Sequence, residues 1–270
     1  MKRLIVVLAA AVSVALPAQA SARTFFGPPQ TVRGVGTSAA HSLGPSLADF
    51  NGRLYMAWRG VQDDGIWWNS FAGLNWTAQH RVAGVGTFRG PSLAVFNGRL
   101  YMAWRGAGGS QGIWWNSFDG VNWTAQHRVA GVGTSAGPSL AVFNGRLYMA
   151  WKGANDSQGI WWNSFDGVNW TAQHRVAGVG TGVGPSLAVF NGRLYMAWKG
   201  AGIDHGIYWS YRESSDWIAQ HKVGGARTSG RPSLAVSNGH LYLAWKGVGG
   251  CCADLGGAGA DNNIYWASSH

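Results

Sequence analysis

Cysteine is almost absent from this chain of 270 residues. The only two cysteines, Cys251 and Cys252, are adjacent, and no histidine or further cysteine lies at ligand spacing from them. The pattern therefore predicts no metal site and no cofactor. In an exported chain, two adjacent cysteines are candidates for a strained vicinal disulfide or for pairing between molecules.

Acidic residues are also few, with 11 Asp and Glu against 21 Lys and Arg and a formal net charge of +10. The basic residues recur at regular positions and form no cluster, whereas nucleic-acid sites usually show a clustered basic patch. The excess is interpreted as a mildly basic, solubilising surface. We expect no nucleic-acid partner.

Helical periodicity is missing, and long apolar runs are missing after the first residues. The apolar run 4–16 follows Lys2 and Arg3, and it is too short to span a bilayer. Small residues follow it, with cleavage positions after Ala20 or Ala22. The sequence predicts a signal peptide over residues 1–22, a secreted mature protein and no membrane insertion.

What the chain has in abundance is a tandem repeat. The proline of a recurring Gly-Pro-Ser-Leu-Ala motif occurs five times, at intervals of 46, 47, 47 and 47 residues: Pro45, Pro91, Pro138, Pro185 and Pro232. The repeats run near residues 45–90, 91–137, 138–184, 185–231 and 232–270. A period of this length is typical of propellers and solenoids.

Each unit contains four short runs with strand chemistry. In the third unit they are residues 139–143, 147–151, 160–165 and 170–176. Asn144-Gly145 predicts a type I′ hairpin turn after the first run, and Asp166-Gly167 predicts a second tight turn after the third. Four antiparallel strands in such a unit indicate a propeller blade.

The ends of the chain predict how the ring closes. The fifth unit stops after its third run, and residues 26–37 align with residues 76–87, the fourth run of the first unit. We predict an all-β fold: a five-bladed β-propeller of four-stranded antiparallel blades over residues 23–270. The N-terminal strand, within residues 24–37, would complete the last blade.

The longer, variable loops should share one face of this ring, and they predict a repeated sugar site between blades. Its aromatic floor would be Trp67, Trp114, Trp161, Tyr208 and Tyr265. Its cationic wall would be Arg59, Arg105, Lys152, Lys199 and Lys246. Further polar groups would be Asp64, Gln111, Gln158, His205, Thr87, Thr134, Thr181 and Thr228. Most of the 17 tryptophans are core residues by default.

Four recurring histidines should lie on the outermost strands as polar edge protection. They are His80, His127, His174 and His221.

Five blades with a 47-residue period and repeated aromatic and polar loops resemble the tachylectin-type propeller lectins. That resemblance implies one amino sugar or related glycan per blade, bound between blades. A second resemblance is local: residues 117–123 and 164–170 look like the Asp-box hairpin of sialidases, which is structural in that family.

Three functions remain open at this point. The first is an exported, multivalent lectin that binds glycans or glycoconjugates and is not an enzyme; near-identical, tryptophan-rich repeats favour it because several weak sites gain avidity. The second is a sialidase-like or other glycoside hydrolase, which needs unlike acidic groups that converge once. The unmatched candidates are Asp49, Asp254 and Asp261. The third is a protein-binding propeller using the same face.

Overall fold

The computed structural model describes residues 32, 35–37, 44–61, 63–248 and 263–269. Within these ranges the chain forms nineteen strands and no helix. No helix of the described chain therefore has the length and apolar character to cross a bilayer. The predicted signal peptide lies outside the described residues, as do Cys251, Cys252, Asp254 and Asp261.

The strands form five antiparallel sheets, each built from consecutive strands. The first blade contains β1 (Ser46–Phe50), β2 (Arg53–Arg59), β3 (Gly65–Phe71) and β4 (His80–Gly86). The second contains β5 (Ser92–Phe96), β6 (Arg99–Arg105), β7 (Gly112–Phe118) and β8 (His127–Gly133). The third contains β9 (Ser139–Phe143), β10 (Arg146–Lys152), β11 (Gly159–Phe165) and β12 (His174–Gly180). The fourth contains β13 (Ser186–Phe190), β14 (Arg193–Lys199), β15 (Gly206–Arg212) and β16 (His221–Arg227). The fifth contains β17 (Ser233–Ser237), β18 (His240–Lys246) and β19 (Ile264–Ser268).

This arrangement confirms the all-β, five-bladed propeller that the repeat predicts. The turn between the first two strands is confirmed as well, because Asn144 and Gly145 have φ angles of 46° and 67°. Both values are positive, as a type I′ turn requires. Five residues join the outer strand of one blade to the inner strand of the next. These connections are β4 to β5, β8 to β9, β12 to β13 and β16 to β17.

The predicted bounds of the fourth strand are wrong. In the third blade it spans His174–Gly180 instead of residues 170–176, and Trp170 makes only an isolated bridge to Phe165. The reason is the turn before it. The Asp166 carboxylate accepts the N–H groups of Val168 and Asn169 at 2.8 and 2.7 Å, which opens a wider loop than a two-residue hairpin.

Blades two, three and four bury both of their faces against neighbours because side chains alternate across a strand. We call the face that packs on the next blade the forward face and the opposite one the backward face. Trp115 on the forward face of blade two lies 5.0 Å from Phe165 and 6.4 Å from Trp170 of blade three, measured between ring centroids. Trp104 and Trp151 are fully buried on the backward faces. The core is therefore a series of similar interfaces between blades.

A line of serines links the inner strands of consecutive blades. The backbone N–H of Leu93 donates to Ser46 Oγ at 2.9 Å, and Leu140, Leu187 and Leu234 donate in the same way to Ser92, Ser139 and Ser186 at 3.0 Å. Among the described residues no corresponding bond joins Ser233 to Leu47. Four hydrogen bonds of this kind thus connect the inner strands of blades one to five, one between each pair of consecutive blades.

The junction of blades five and one is also less covered than the others. Ile264 and Trp266 on the forward face of blade five are 72% and 68% exposed, whereas Ile160 at the matching position of blade three is fully buried. On the backward face of blade one, Leu47 is 53% exposed, against 6% for Leu140. The described strands of blade five number three, and β19 is the outermost of them.

Most of the predicted closing strand lies outside the described residues, but its last residue is described. Thr37 donates its hydroxyl to the carbonyl oxygen of Arg59 at 3.1 Å. Thr87 and Thr228 make the same contact to Arg105 and Lys246, where the outer strand of one blade leads into the next. Thr37 therefore occupies the position expected at the end of an outer strand. Pairing of the preceding residues with β19 stays a prediction.

Candidate functional site

A cavity lies on the ring axis, where the five inner strands begin. It has a volume of about 620 Å³ and opens on the face that carries the long loops. Serine and leucine residues of the inner strands form most of its wall, including Ser92, Ser139 and Ser186. Because each of these serine oxygens accepts a backbone N–H, its own hydroxyl hydrogen points elsewhere and is available to a ligand.

Among the described residues, two cations line this cavity, Arg231 and Lys246. Arg231 precedes the inner strand of blade five, at the position where the other four repeats have glycine. Its Nη1 and Nη2 atoms both lie 3.4 Å from the carbonyl oxygen of Pro138, in the third blade. Partial burial lowers the pKa of the Arg231 guanidinium to about 10, so the group is charged at neutral pH.

Asp49 is the only charged residue on the described inner strands. It replaces a valine that the other four units carry, at Val95, Val142, Val189 and Val236. Its side chain leaves the same face of β1 as Leu47, which lines the cavity, because residues two apart on a strand share a face. Asp49 is exposed, so its carboxylate is open to solvent.

The predicted cationic wall is largely occupied within the protein. Arg105 donates to the carbonyl oxygens of Ser110 and Ser135 at 3.1 and 2.9 Å, and Lys152 donates to Ser135 Oγ at 2.7 Å. Lys199 donates to three carbonyl oxygens of its own loop and the residue after its strand. Burial lowers the pKa of both lysines. These side chains fix the loops between blades.

The first and last members of that set differ from the middle three. Arg59 forms an exposed ion pair with Asp64, with 2.6 Å between Nη2 and Oδ1. Such surface pairs contribute little to stability. The side chain of Lys246 is exposed at the central cavity.

The predicted threonines are completely buried and serve the backbone. Thr87, Thr134, Thr181 and Thr228 have no exposed surface. Their hydroxyls bond carbonyl oxygens two residues ahead or in the next blade, as Thr228 does to Lys246 at 2.7 Å. They hold the five-residue connections between blades and have no surface left for a sugar.

The predicted amides also join neighbouring blades. Gln111 donates to Asn155 Oδ1 at 2.8 Å and accepts the N–H of Asn155 at 2.6 Å. Gln158 accepts the N–H of Gly202 at 2.6 Å. These bonds connect the long loop of one blade to the long loop of the next. They occupy the whole amide group of Gln111 and the amide oxygen of Gln158.

The predicted aromatic floor is half-buried in every blade: Trp67, Trp114, Trp161, Tyr208 and Tyr265. Trp114, Trp161, Tyr208 and Tyr265 pack against the buried clusters between blades, and Tyr208 and Tyr265 stack on Trp198 and Trp245. Trp67 Nε1 donates to the Asp63 carboxylate at 3.3 Å. The described structure thus places these rings mainly in packing between blades.

The histidine prediction concerns the outer strands. His80, His127, His174 and His221 each begin an outer strand and are exposed. Each ring also stacks on the tryptophan opposite, as His174 does on Trp162 at 4.6 Å between centroids. The edge strand is thereby covered on one side by an aromatic pair.

A second, smaller cavity of about 280 Å³ is specific to blade four. Asp204, His205, Lys222 and Arg227 line it. Burial opposes ionisation of Asp204, but the Gly206 N–H and the Tyr208 hydroxyl bond its carboxylate and lower its pKa. His205 contacts the Thr228 carbonyl oxygen at 3.2 Å through Nδ1.

Comparison with known proteins gives fold relatives only in solved structures. No family model and no curated protein matches the chain. A protein of unknown function from Dyadobacter fermentans superposes with a TM-score of 0.61 at 14% identity, covering 78% of this chain and 77% of that one. The GH43_1 enzyme from Xanthomonas citri complexed with xylose gives 0.56 at 16% identity, covering 86% and 88%.

An exo-β-1,3-galactanase from Phanerochaete chrysosporium, crystallised with β-1,3-galactotriose, also gives a TM-score of 0.56, at 13% identity. The match covers 78% of this chain and 58% of the galactanase. These likenesses show the five-bladed propeller fold. The propellers with a known activity among them are glycoside hydrolases that hold saccharides.

The prediction of a multivalent lectin without enzymatic activity is therefore wrong on this comparison, which favours the hydrolase alternative. The contacts give a physical reason: most of the repeated polar residues that suggested a sugar site already bond the protein itself. Repetition in this chain marks structural roles. The prediction from the repeats did not include Arg231 among the site residues. Arg231 could have been identified because it replaces the glycine that the other four repeats have at this position.

Proposed function

We propose that the protein is a glycoside hydrolase that acts on a polysaccharide at the central cavity. The observation that carries the proposal is Asp49, the one carboxylate on the five inner strands. Asp49 does not itself line the described cavity, but it lies on the same face of β1 as Leu47, which does. Hydrolysis of a glycosidic bond needs unlike groups that converge once, and a propeller axis is such a place. The solved hydrolases of similar fold support the same reading.

The reaction requires two carboxyl groups. One donates a proton to the leaving glycosidic oxygen, and the other either takes the proton of the attacking water or attacks the sugar itself. Asp49 would supply one of them. The other two unmatched acids of the sequence, Asp254 and Asp261, are the candidates for the second, and they lie outside the described residues.

Substrate class follows from the solved relatives. Those proteins were obtained with xylose and with β-1,3-galactotriose. We therefore propose a plant-type polysaccharide or one of its side chains as the substrate. Export by the predicted signal peptide suits such a substrate, because polysaccharides of this kind lie outside the cell. N-terminal sequencing of the secreted protein should find a start at residue 21 or 23.

The test is hydrolysis by the purified mature protein of xylan, arabinan and β-1,3-galactan oligosaccharides, with products identified by anion-exchange chromatography. We expect release of a defined sugar, and we expect Asp49→Asn to reduce the rate at least about 100-fold, as loss of a catalytic acid or base does. Asp216→Asn is the matched control, since Asp216 is exposed in the turn before the outer strand of blade four. Turnover that survives Asp49→Asn unchanged would remove Asp49 from the proposal. No hydrolysis of any of the three substrate classes would refute the activity.

A further inference from the structure

We infer that the central cavity recognises a sugar residue that carries a carboxylate group, a uronic acid within its saccharide. This inference rests on the proposed function and names its substrate class. The feature behind it is the pair of cations on the cavity wall, Arg231 and Lys246.

Most N–H groups of the Arg231 guanidinium make no hydrogen bond of usual length within the described chain. Its two contacts to the Pro138 carbonyl oxygen measure 3.4 Å, longer than the usual 2.7–3.2 Å range for N–H···O hydrogen bonds. No carboxylate pairs with Arg231 in the described ranges, and no described Asp or Glu lines the cavity. A partly buried cation without an anion is a site for one.

Lys246 strengthens the case by comparison with its equivalents. The ammonium groups of Lys152 and Lys199 are buried and bonded to loop oxygens. Lys246 has an exposed side chain at the cavity, and its ammonium makes no hydrogen bond or ion pair within the described chain. Two cations of the described chain therefore face one cavity in blade five, where Arg231 replaces the glycine of the other repeats.

The sequence change itself points to selection for a cation and not to packing. The other repeats have glycine before the proline, and two of those glycines, Gly137 and Gly184, lie close to neighbouring backbone. A Cβ on Gly137 or Gly184 would lie 2.9 or 2.6 Å from a carbonyl oxygen of the preceding blade. Blade five has the room for a side chain, and the chain places there a planar, permanently charged fork that matches a carboxylate.

A uronic acid fits the rest of the wall. Its ring and hydroxyls would face the leucines and the serine hydroxyls, while its carboxylate meets Arg231 and Lys246. A volume of about 620 Å³ is within the range of sites that hold one or two sugar rings. A neutral sugar would leave both cations without a partner.

The experiment is calorimetric titration of the full mature chain with glucuronic and galacturonic acid oligosaccharides and with their methyl esters, in which a methyl group removes the charge of each carboxylate. We expect the acids to bind about 10- to 100-fold more tightly than the esters, the usual effect of a charge-assisted pair. Arg231→Gly restores the residue of the other repeats and should fold; we expect it to abolish the preference. Arg231→Lys should keep part of it.

Arg175→Gln is the matched control, since it removes the same charge from an outer strand and should keep the preference. Acetate is the second control, because binding of free acetate as tight as that of the uronates would show a carboxylate site with no sugar recognition and overturn the inference. Equal affinity for acid and ester, or a preference that survives Arg231→Gly, would overturn it as well.

Failure of the proposed function gives a different result. Hydrolysis of neutral oligosaccharides without any preference for uronates would keep the hydrolase and refute this inference. Binding of uronates through Arg231 without hydrolysis of any glycan would keep the inference and refute the hydrolase.

Discussion

Two junctions between blades can be compared: the one between blades two and three, and the one between blades five and one. Both are built from the same repeat, but they differ in burial and in hydrogen bonding. Between blades two and three, Ile113 is fully buried and Ser92 bonds the next inner strand. At the other junction Ile264 is mostly exposed, and no such bond joins Ser233 to Leu47 within the described chain. The departures from the repeat, Asp49 and Arg231, also lie in blades one and five. The regular blades therefore stabilise the fold, whereas the blades at the irregular junction carry Asp49 and Arg231, the residues proposed to act on a ligand.

The largest test of this contrast compares one position in two blades. Ile160→Ala removes a fully buried side chain and should lower the free energy of unfolding by about 2–5 kcal/mol. Ile264→Ala removes one that is 72% exposed and should change it by less than about 0.5 kcal/mol. Both are measured by denaturant unfolding. Equal losses would mean that the junction is packed like the others.

A smaller effect is expected at the serine links. Ser139→Ala deletes the acceptor of the Leu187 N–H and leaves a buried donor unpaired, which should cost about 1–3 kcal/mol. Ser233→Ala is the counterpart at the exposed end of the line and should be neutral. Hydrogen exchange of the Leu187 amide gives an independent readout. A destabilising Ser233→Ala would reveal a fifth link.

Restoring a repeat residue should stabilise the protein modestly. Arg212 stands where blades one to three have phenylalanine, with its guanidinium 4.1 Å from the Trp162 ring and two buried nitrogens without a hydrogen-bond partner. Arg212→Phe should raise the free energy of unfolding by about 1 kcal/mol, because those buried donors disappear. Arg53→Phe, at the exposed start of β2, is the control for added hydrophobicity. A loss of stability would show that the cation–π contact outweighs the unpaired donors.

The smallest effect concerns the turn aspartates and appears only in acid. The N–H groups of Asn169 and Val168 lower the pKa of Asp166. A carboxyl whose pKa falls on folding stabilises the protein above its unfolded pKa, about 3.9, and loses that contribution as the pH falls through the folded value. Asp166→Ala, the residue of blade one at Ala72, should therefore be less stable than the wild type at pH 7. The difference should shrink below pH 4, as followed by thermal unfolding at several pH values; a constant difference would contradict the pKa shift.

Local chemistry made the fold predictable. Period, strand alternation and Asn-Gly turns each depend on neighbouring residues, so the inner strand Ser139–Phe143 and its turn were predicted at their observed bounds. The outer strand was misplaced because Asp166 bonds two backbone N–H groups, and the width of that loop is not written in the hydrophobic pattern.

The site was harder to predict because repetition suggested function. Gln111 and Lys152 have the composition of sugar ligands, but their partners lie in another blade or loop, and only the packed structure shows that these groups are occupied. Asp49 was identifiable as an unmatched acid. Arg231 was visible as a substitution for glycine, but its position on the axis depends on how five blades meet.

The five-residue connections between blades have a consequence for how the blades find their neighbours during folding. Because the blades are so alike, the forward face of one is complementary to the backward face of almost any other, and side-chain contacts alone do not determine which blades become neighbours. The short tether does so by keeping the correct partner at high effective concentration. Blade order is thus specified by connectivity. When many chains refold together, a blade from a second molecule presents the same surface. Misfolding by exchange of blades between chains is therefore expected at high protein concentration.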